Sequence, residues 1–152
     1  MKKTFLINAL IAGLIAGSLD ISAAFIQYFI QTGKNPVVIL PFIASGVFGN
    51  EAFNGENSMI LSGLIFHFII AIIFAIFFFW LSKKFPSILK NKLFTGVLYG
   101  IFIWSVMRFL VLPLSQVPKS PLHFTSAIIA ILILIVCIGI PLAYLAGRKR
   151  SE

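Results

Sequence analysis

MILSGLIFHFIIAIIFAIFFFWL, residues 59–81, decides the class of fold. His67 is its one ionisable side chain among 23 residues. As a helix rising about 1.5 Å per residue, the run reaches about 34 Å, enough to cross a hydrocarbon core of about 30 Å. In lipid only a helix or a closed barrel satisfies its own backbone polar groups, and the run lacks the polar alternation of a barrel strand.

Working outward, three more runs have the same character: residues 4–30, 93–112 and 122–146. Hydrophobic residues make up 60% of the 152-residue chain and charged residues 11%. A water-soluble domain of this size has too little interior for that much apolar surface. Ordinary helix punctuation brackets the runs. Ser58 is placed to cap the second, and Ser120-Pro121 to cap and open the fourth. Pro113 is expected to close the third and Gly147 the fourth, while Pro141 should kink the fourth from within. Lys2-Lys3 followed by an apolar stretch imitates a signal peptide, but apolar character continues past Asp20 to Ile30, which favours an uncleaved spanning helix. Residues 36–49 are apolar but short and contain Pro41. They read either as an interfacial or re-entrant helix opened by Asn35-Pro36, or as an irregular apolar loop. The expected fold is all-α: a polytopic membrane protein of one transmembrane domain, residues 1–152. Four spans form two hairpins, with the short helix in the first outer loop.

The net charge of +8 could suggest a nucleic-acid partner, but the cations stand at the ends of the apolar runs. Lys2, Lys3, Lys83, Lys84, Lys90, Lys92, Arg148, Lys149 and Arg150 fall on one side of a four-span topology. Lys34 and Lys119 fall on the other, with Glu51 and Glu56. The positive-inside bias places both termini in the cytoplasm. The expected partners are therefore the lipid bilayer and a second copy of the chain, and not nucleic acid.

Asp20, His67 and Arg108 lie inside the spans and His123 at the edge of one. Ionisable groups are costly in lipid and usually turn toward a bundle interior or cavity. Each lies in phase with small residues: Asp20 with Gly13 and Gly17, His67 with Gly63 and Ala71, Arg108 with Gly96 and Gly100, and His123 with Ala127. Small residues let membrane helices approach closely, so these glycines are candidate packing positions. Measured from the cytoplasmic lysines, Asp20, His67 and Arg108 all fall at about 24–25 Å depth. An Asp20–Arg108 ion pair beside His67 is one expectation. Such a pair either locks helices together or relays protons or ions, and Arg108 reaching alone to the outer interface is the alternative. The two histidines could hold haem or a transition metal, but ordinary interfacial side chains explain them as well, so no cofactor or metal is expected.

No Walker A sequence, Gly-x-Ser-x-Gly elbow, His-Glu-x-x-His or Cys-x-x-Cys occurs, and Cys137 stands alone. With no nucleophile–base set, the chain is not expected to be an enzyme. Phe77-Phe78-Phe79-Trp80 reads as a membrane-facing aromatic run.

The segment from His67 through Leu81, then Phe85-Pro86, Gly96 to Gly100, Pro113-Leu114 and Pro118, resembles the bacterial YagU-like family of inner-membrane proteins. Gly13-Leu14-Ile15-Ala16-Gly17 is similar as well. The resemblance implies a multi-pass protein of the bacterial inner membrane and supplies no catalytic residue. Two functional expectations follow. One is a small transporter or channel-like protein for a small molecule or ion, with its path near Asp20, His67 and Arg108. The other is a non-transporting scaffold or accessory subunit in which the same residues bind helices together.

Overall fold

The computed structural model describes residues 2–118 and 123–148. Among them every regular element is helical, and no strand occurs. Helix α1 is Lys2–Thr32, α2 Ile39–Phe48, α3 Asn57–Lys84 and α4 Lys92–Val106. A π-helical turn, Met107–Val111, joins α4 to α5, Leu112–Leu114. The last long helix comprises α6, Phe124–Leu134, a second π-helical turn, Ile135–Gly139, and α7, Ile140–Arg148. Lys119, the expected Ser120-Pro121 cap, Lys149 and Arg150 lie outside the described residues.

Among the described residues five helical stretches are long and apolar enough to cross a membrane: Lys3–Thr32, Pro36–Phe53, Asn57–Lys84, Lys92–Leu114 and Phe124–Arg148. Four coincide with the expected spans. The additional one, Pro36–Phe53, is composite: only α2 is α-helical, between 3-10 turns at Pro36–Val38 and Gly49–Phe53. Its ten α-helical residues extend about 15 Å. Asn35 opens the segment as expected, its side-chain oxygen accepting the Val37 N–H at 3.0 Å. Gly49, at φ 57°, ends α2 in a conformation that favours glycine.

Local expectations needed correction at several boundaries. The N-cap of α3 is Glu56, and the Ser58 hydroxyl instead donates to the Glu56 carboxylate at 2.9 Å. Gly147 lies within α7, which continues to Arg148. Pro113 does not end its helix, which reaches Leu114. Both π turns stand immediately before a proline turn, ahead of Pro113 and Pro141. Proline lacks the N–H of the α-helical ladder and its ring crowds the carbonyl four residues back. A wider turn relieves that crowding while keeping backbone groups paired, which lipid demands.

The core is tight at one end. Ala9, Ala12 and Ala16 of α1, Phe78 of α3, Tyr99 and Ile103 of α4, and Leu142 and Ala143 of α7 bury one another. Helix α1 packs along α3 and along the last helix, which in turn packs along α4; α1 and α4 barely touch. Between α3 and α4 aromatic rings fill the gap: Phe78 and Tyr99 meet edge to face at 4.7 Å, and Phe77 stacks on Phe102 at 5.8 Å. The aromatic run is therefore not wholly membrane-facing. Phe78 and Phe79 are core, and only Phe77 and Trp80 of the run keep a large exposed surface. Consecutive residues on a helix point about 100° apart, so four in a row cannot share one face.

Candidate functional site

The glycine stripes sit at close helix crossings. A β-carbon on Gly17 would stand 3.0 Å from Ala71 Cβ, and one on Gly13 would stand 2.9 Å from Ile72 Cα. Gly96 and Gly100 face the last helix, where added β-carbons would lie 2.8 Å from Ile140 Cα and 2.6 Å from Ile135 Cα. Gly63 differs in its partner: it presses on the Leu40 carbonyl of α2 rather than on another long helix. Gly139, which periodicity did not single out, packs on the Gly96 carbonyl.

The α1–α3 crossing carries the polar site. Where Gly17 and Ala71 bring the backbones together, His67 Nε2 lies 2.8 Å from the Gly17 carbonyl oxygen. A carbonyl can only accept, so Nε2 carries the hydrogen and donates it. The Phe68 ring stands edge-on at 5.4 Å. Asp20, almost one turn beyond Gly17 on α1, interacts electrostatically with His67 and also with Cys137 on the second π turn. Asp20 and Cys137 are both half-buried. Helix α3 and the second π turn thus each bring one side chain within electrostatic reach of Asp20. Among the described residues no group of three or more His, Cys, Asp or Glu side chains is arranged to hold a metal ion.

The structure brings Asp20 and His67 together and sets Arg108 and His123 elsewhere. Arg108 belongs to the first π turn and lines a cavity of about 380 Å³ with Phe42, Phe109, Leu112, Pro113, Val117 and Pro118. Asp20 is surrounded from α3 and the last helix, and the helix that carries Arg108 barely touches α1. His123 is the exposed N-cap of α6. Cys137 joined the site only through the fold, because a lone cysteine in an apolar run carries no sequence signal of proximity to an acid.

The site lies just past the main buried cluster that joins α1, α3, α4 and the last helix. The last buried residue of α1 is Ile21, and α6 has no buried residue at all. On the Arg108 side, α2 closes the bundle over the ends of α3 and α4. The Gln116 side-chain amide donates to the Val47 carbonyl at 2.8 Å, and its backbone N–H donates to Gly46 at 3.0 Å. Phe48 stacks on Phe66 at 5.9 Å.

Among the described residues the chain is all-helical, and its membrane-length apolar helices fit a multi-pass membrane protein. Residues 46–140 match the family described as "Protein of unknown function (DUF1440)". That match covers more than half of the chain, and the chain belongs to this family. No curated protein and no solved structure matches the chain.

Proposed function

We propose that the chain is a four-span protein of the bacterial inner membrane, with both termini cytoplasmic, that passes a small polar solute or ion by way of Asp20 and His67. The observation that carries this is the partly exposed Asp20 side chain, within electrostatic reach of His67, just past the main buried cluster of the bundle. An acid in the hydrocarbon region that keeps part of its surface uncovered by protein calls for water, an ion or a polar partner there.

We count four crossings and leave α2 out, a reading supported by how α2 meets α3. Leu40 contacts Gly63, and Phe48 contacts Phe66. Between those contacts α2 advances about 12 Å and α3 only about 4.5 Å. A helix that lay beside α3 as a second span would advance equally, so the difference supports a short helix set at an angle to α3. This agrees with the distribution of cations, with the likeness to YagU-like inner-membrane proteins, and with a single domain. His67 gives its Nε2 hydrogen to the Gly17 carbonyl rather than serving a nucleophile, and we read the chain as non-enzymatic, carrying no cofactor and working in the bilayer alone or as a homo-oligomer.

A scaffold or accessory role is the second reading. The His67–Gly17 hydrogen bond favours it, because it spends the imidazole N–H on holding α1 against α3. Water access separates the two. With Cys137→Ala as background, Asp20→Cys is treated in intact cells with a membrane-impermeant thiol reagent. Transport requires position 20 to react. A chain in which position 20 stays inert while Glu56→Cys in the outer loop reacts is a scaffold.

A further inference from the structure

One cavity lies far from Asp20, between the other ends of α3 and α4. It measures about 550 Å³, within the range of about 300–1,000 Å³ usual for ligand sites. Its walls are apolar, with Phe77 and Leu81 on α3 and Phe94, Leu98 and Phe102 on α4. A 3-10 turn, Pro86–Lys90, roofs one end. The Thr95 hydroxyl holds that roof by donating to the Ile88 carbonyl. Lys90 and Ser87 stand at the roofed end.

Charge identifies the occupant. Residues 83–92 hold Lys83, Lys84, Lys90 and Lys92 with no acid among them. Lys83, Lys84 and Lys92 sit over the rings of Phe5, Trp80 and Tyr144 at 5.8, 5.2 and 5.7 Å. Lys90 is the lysine that lines the cavity. An aromatic slot that opens beside lipid and ends under a cation suits a molecule with an apolar chain and an anionic head. Bulk lipid slides past convex helix faces, whereas a concave slot with a roof and a matched charge retains one molecule.

We propose that this slot is a binding site for one anionic phospholipid of the inner leaflet, an acyl chain lying along Leu98 and Phe102 and the phosphate at Lys90. The leaflet assignment rests on the topology proposed above; the binding does not.

Native mass spectrometry of the detergent-purified protein tests it, with dioleoyl phosphatidylglycerol and dioleoyl phosphatidylcholine added in equal amounts. The expected result is one retained phosphatidylglycerol in preference to phosphatidylcholine. Lys90→Gln should lower that preference about fivefold, the factor that corresponds to about 1 kcal/mol per basic residue near an anionic lipid surface. Leu98→Trp, which fills the slot from an exposed position, should lose retention of both lipids. Lys34→Gln, at the other end of the bundle, should retain as the parent does. Equal retention of the two lipids by the parent, or unchanged retention by Leu98→Trp, overturns the proposal. So does displacement of the bound lipid by glycerol phosphate, which would assign the site to a free anion. Because binding in detergent is indifferent to sidedness, a reversed topology would leave these results intact and would show only in reporter fusions.

Discussion

His67 Nε2 donates a hydrogen bond of 2.8 Å to the carbonyl oxygen of Gly17, fifty residues away on the neighbouring helix. The bond exists because Gly17 has no side chain. With Ala71 opposite, the two backbones approach until an imidazole on α3 reaches the main chain of α1. It also sets the tautomer, leaving Nδ1 as the basic nitrogen when the ring is neutral.

Replacing His67 by Phe keeps a ring and removes the donor. Hydrogen bonds between membrane helices average about 0.6 kcal/mol and reach about 1.7 kcal/mol. Gly17 sits inside an unbroken helix, so its carbonyl keeps an intrahelical partner. The expected loss is therefore below about 2 kcal/mol, measured by reversible unfolding in detergent. A loss well above that would mean that the imidazole does more than join two helices.

Gly100→Ala should be severe and Gly46→Ala mild. A β-carbon at Gly100 would stand 2.6 Å from Ile135 Cα, a backbone atom that can move only with the whole last helix. At Gly46 the nearest atoms are 3.7 Å away, an ordinary contact. Overpacking of this kind costs about 1–3 kcal/mol. The yield of monodisperse protein and the melting temperature should both fall for Gly100→Ala and stay near the parent for Gly46→Ala.

Tyr99→Phe isolates one hydroxyl. The ring is buried against Phe78, and its hydroxyl donates to the Phe74 carbonyl at 2.7 Å, bridging α3 and α4 where their backbones stay apart. The expected cost is about 0.5–1.5 kcal/mol, read as a lower unfolding midpoint. Tyr99→Ala should cost more, because it also empties the aromatic layer.

Topology can be read directly. Four crossings put a reporter fused after Arg148 on the same side as one fused at the N-terminus. If α2 also crossed, the two would lie on opposite sides. A C-terminal green fluorescent protein should therefore fluoresce, and alkaline phosphatase at the same point should be inactive. The opposite pattern, with the N-terminal reporter still cytoplasmic, would make Pro36–Phe53 a fifth span.

The long helices were legible because lipid imposes a length and a composition on each one separately. Residues 59–81 need no neighbour to be recognised, and the observed helix α3 runs only two or three residues further at each end. The phases of Gly13, Gly17, Gly96 and Gly100 were legible for a related reason: a helix has a fixed period, and small residues on one face mark a close crossing. Which helix lies across that face is a different matter. Depth estimates placed Asp20, His67 and Arg108 at one level, but depth says nothing about position within the plane of the membrane. The fold puts the last helix between α1 and α4, so Asp20 meets His67 and Cys137, while Arg108 lines a cavity under α2.

The π turns before Pro113 and Pro141 were equally invisible, since proline signals a disturbed helix without stating how the disturbance is absorbed. By itself, then, the sequence determined that the chain is helical, where its long helices run and which of their faces are small. Each of those is a property of one helix in lipid. The tertiary structure decided which helices are neighbours, and with them the Asp20–His67 site, the buried Phe78 and the slot beside Lys90. Those depend on contacts between segments far apart in the chain, where many apolar surfaces are nearly equivalent and only packing chooses among them.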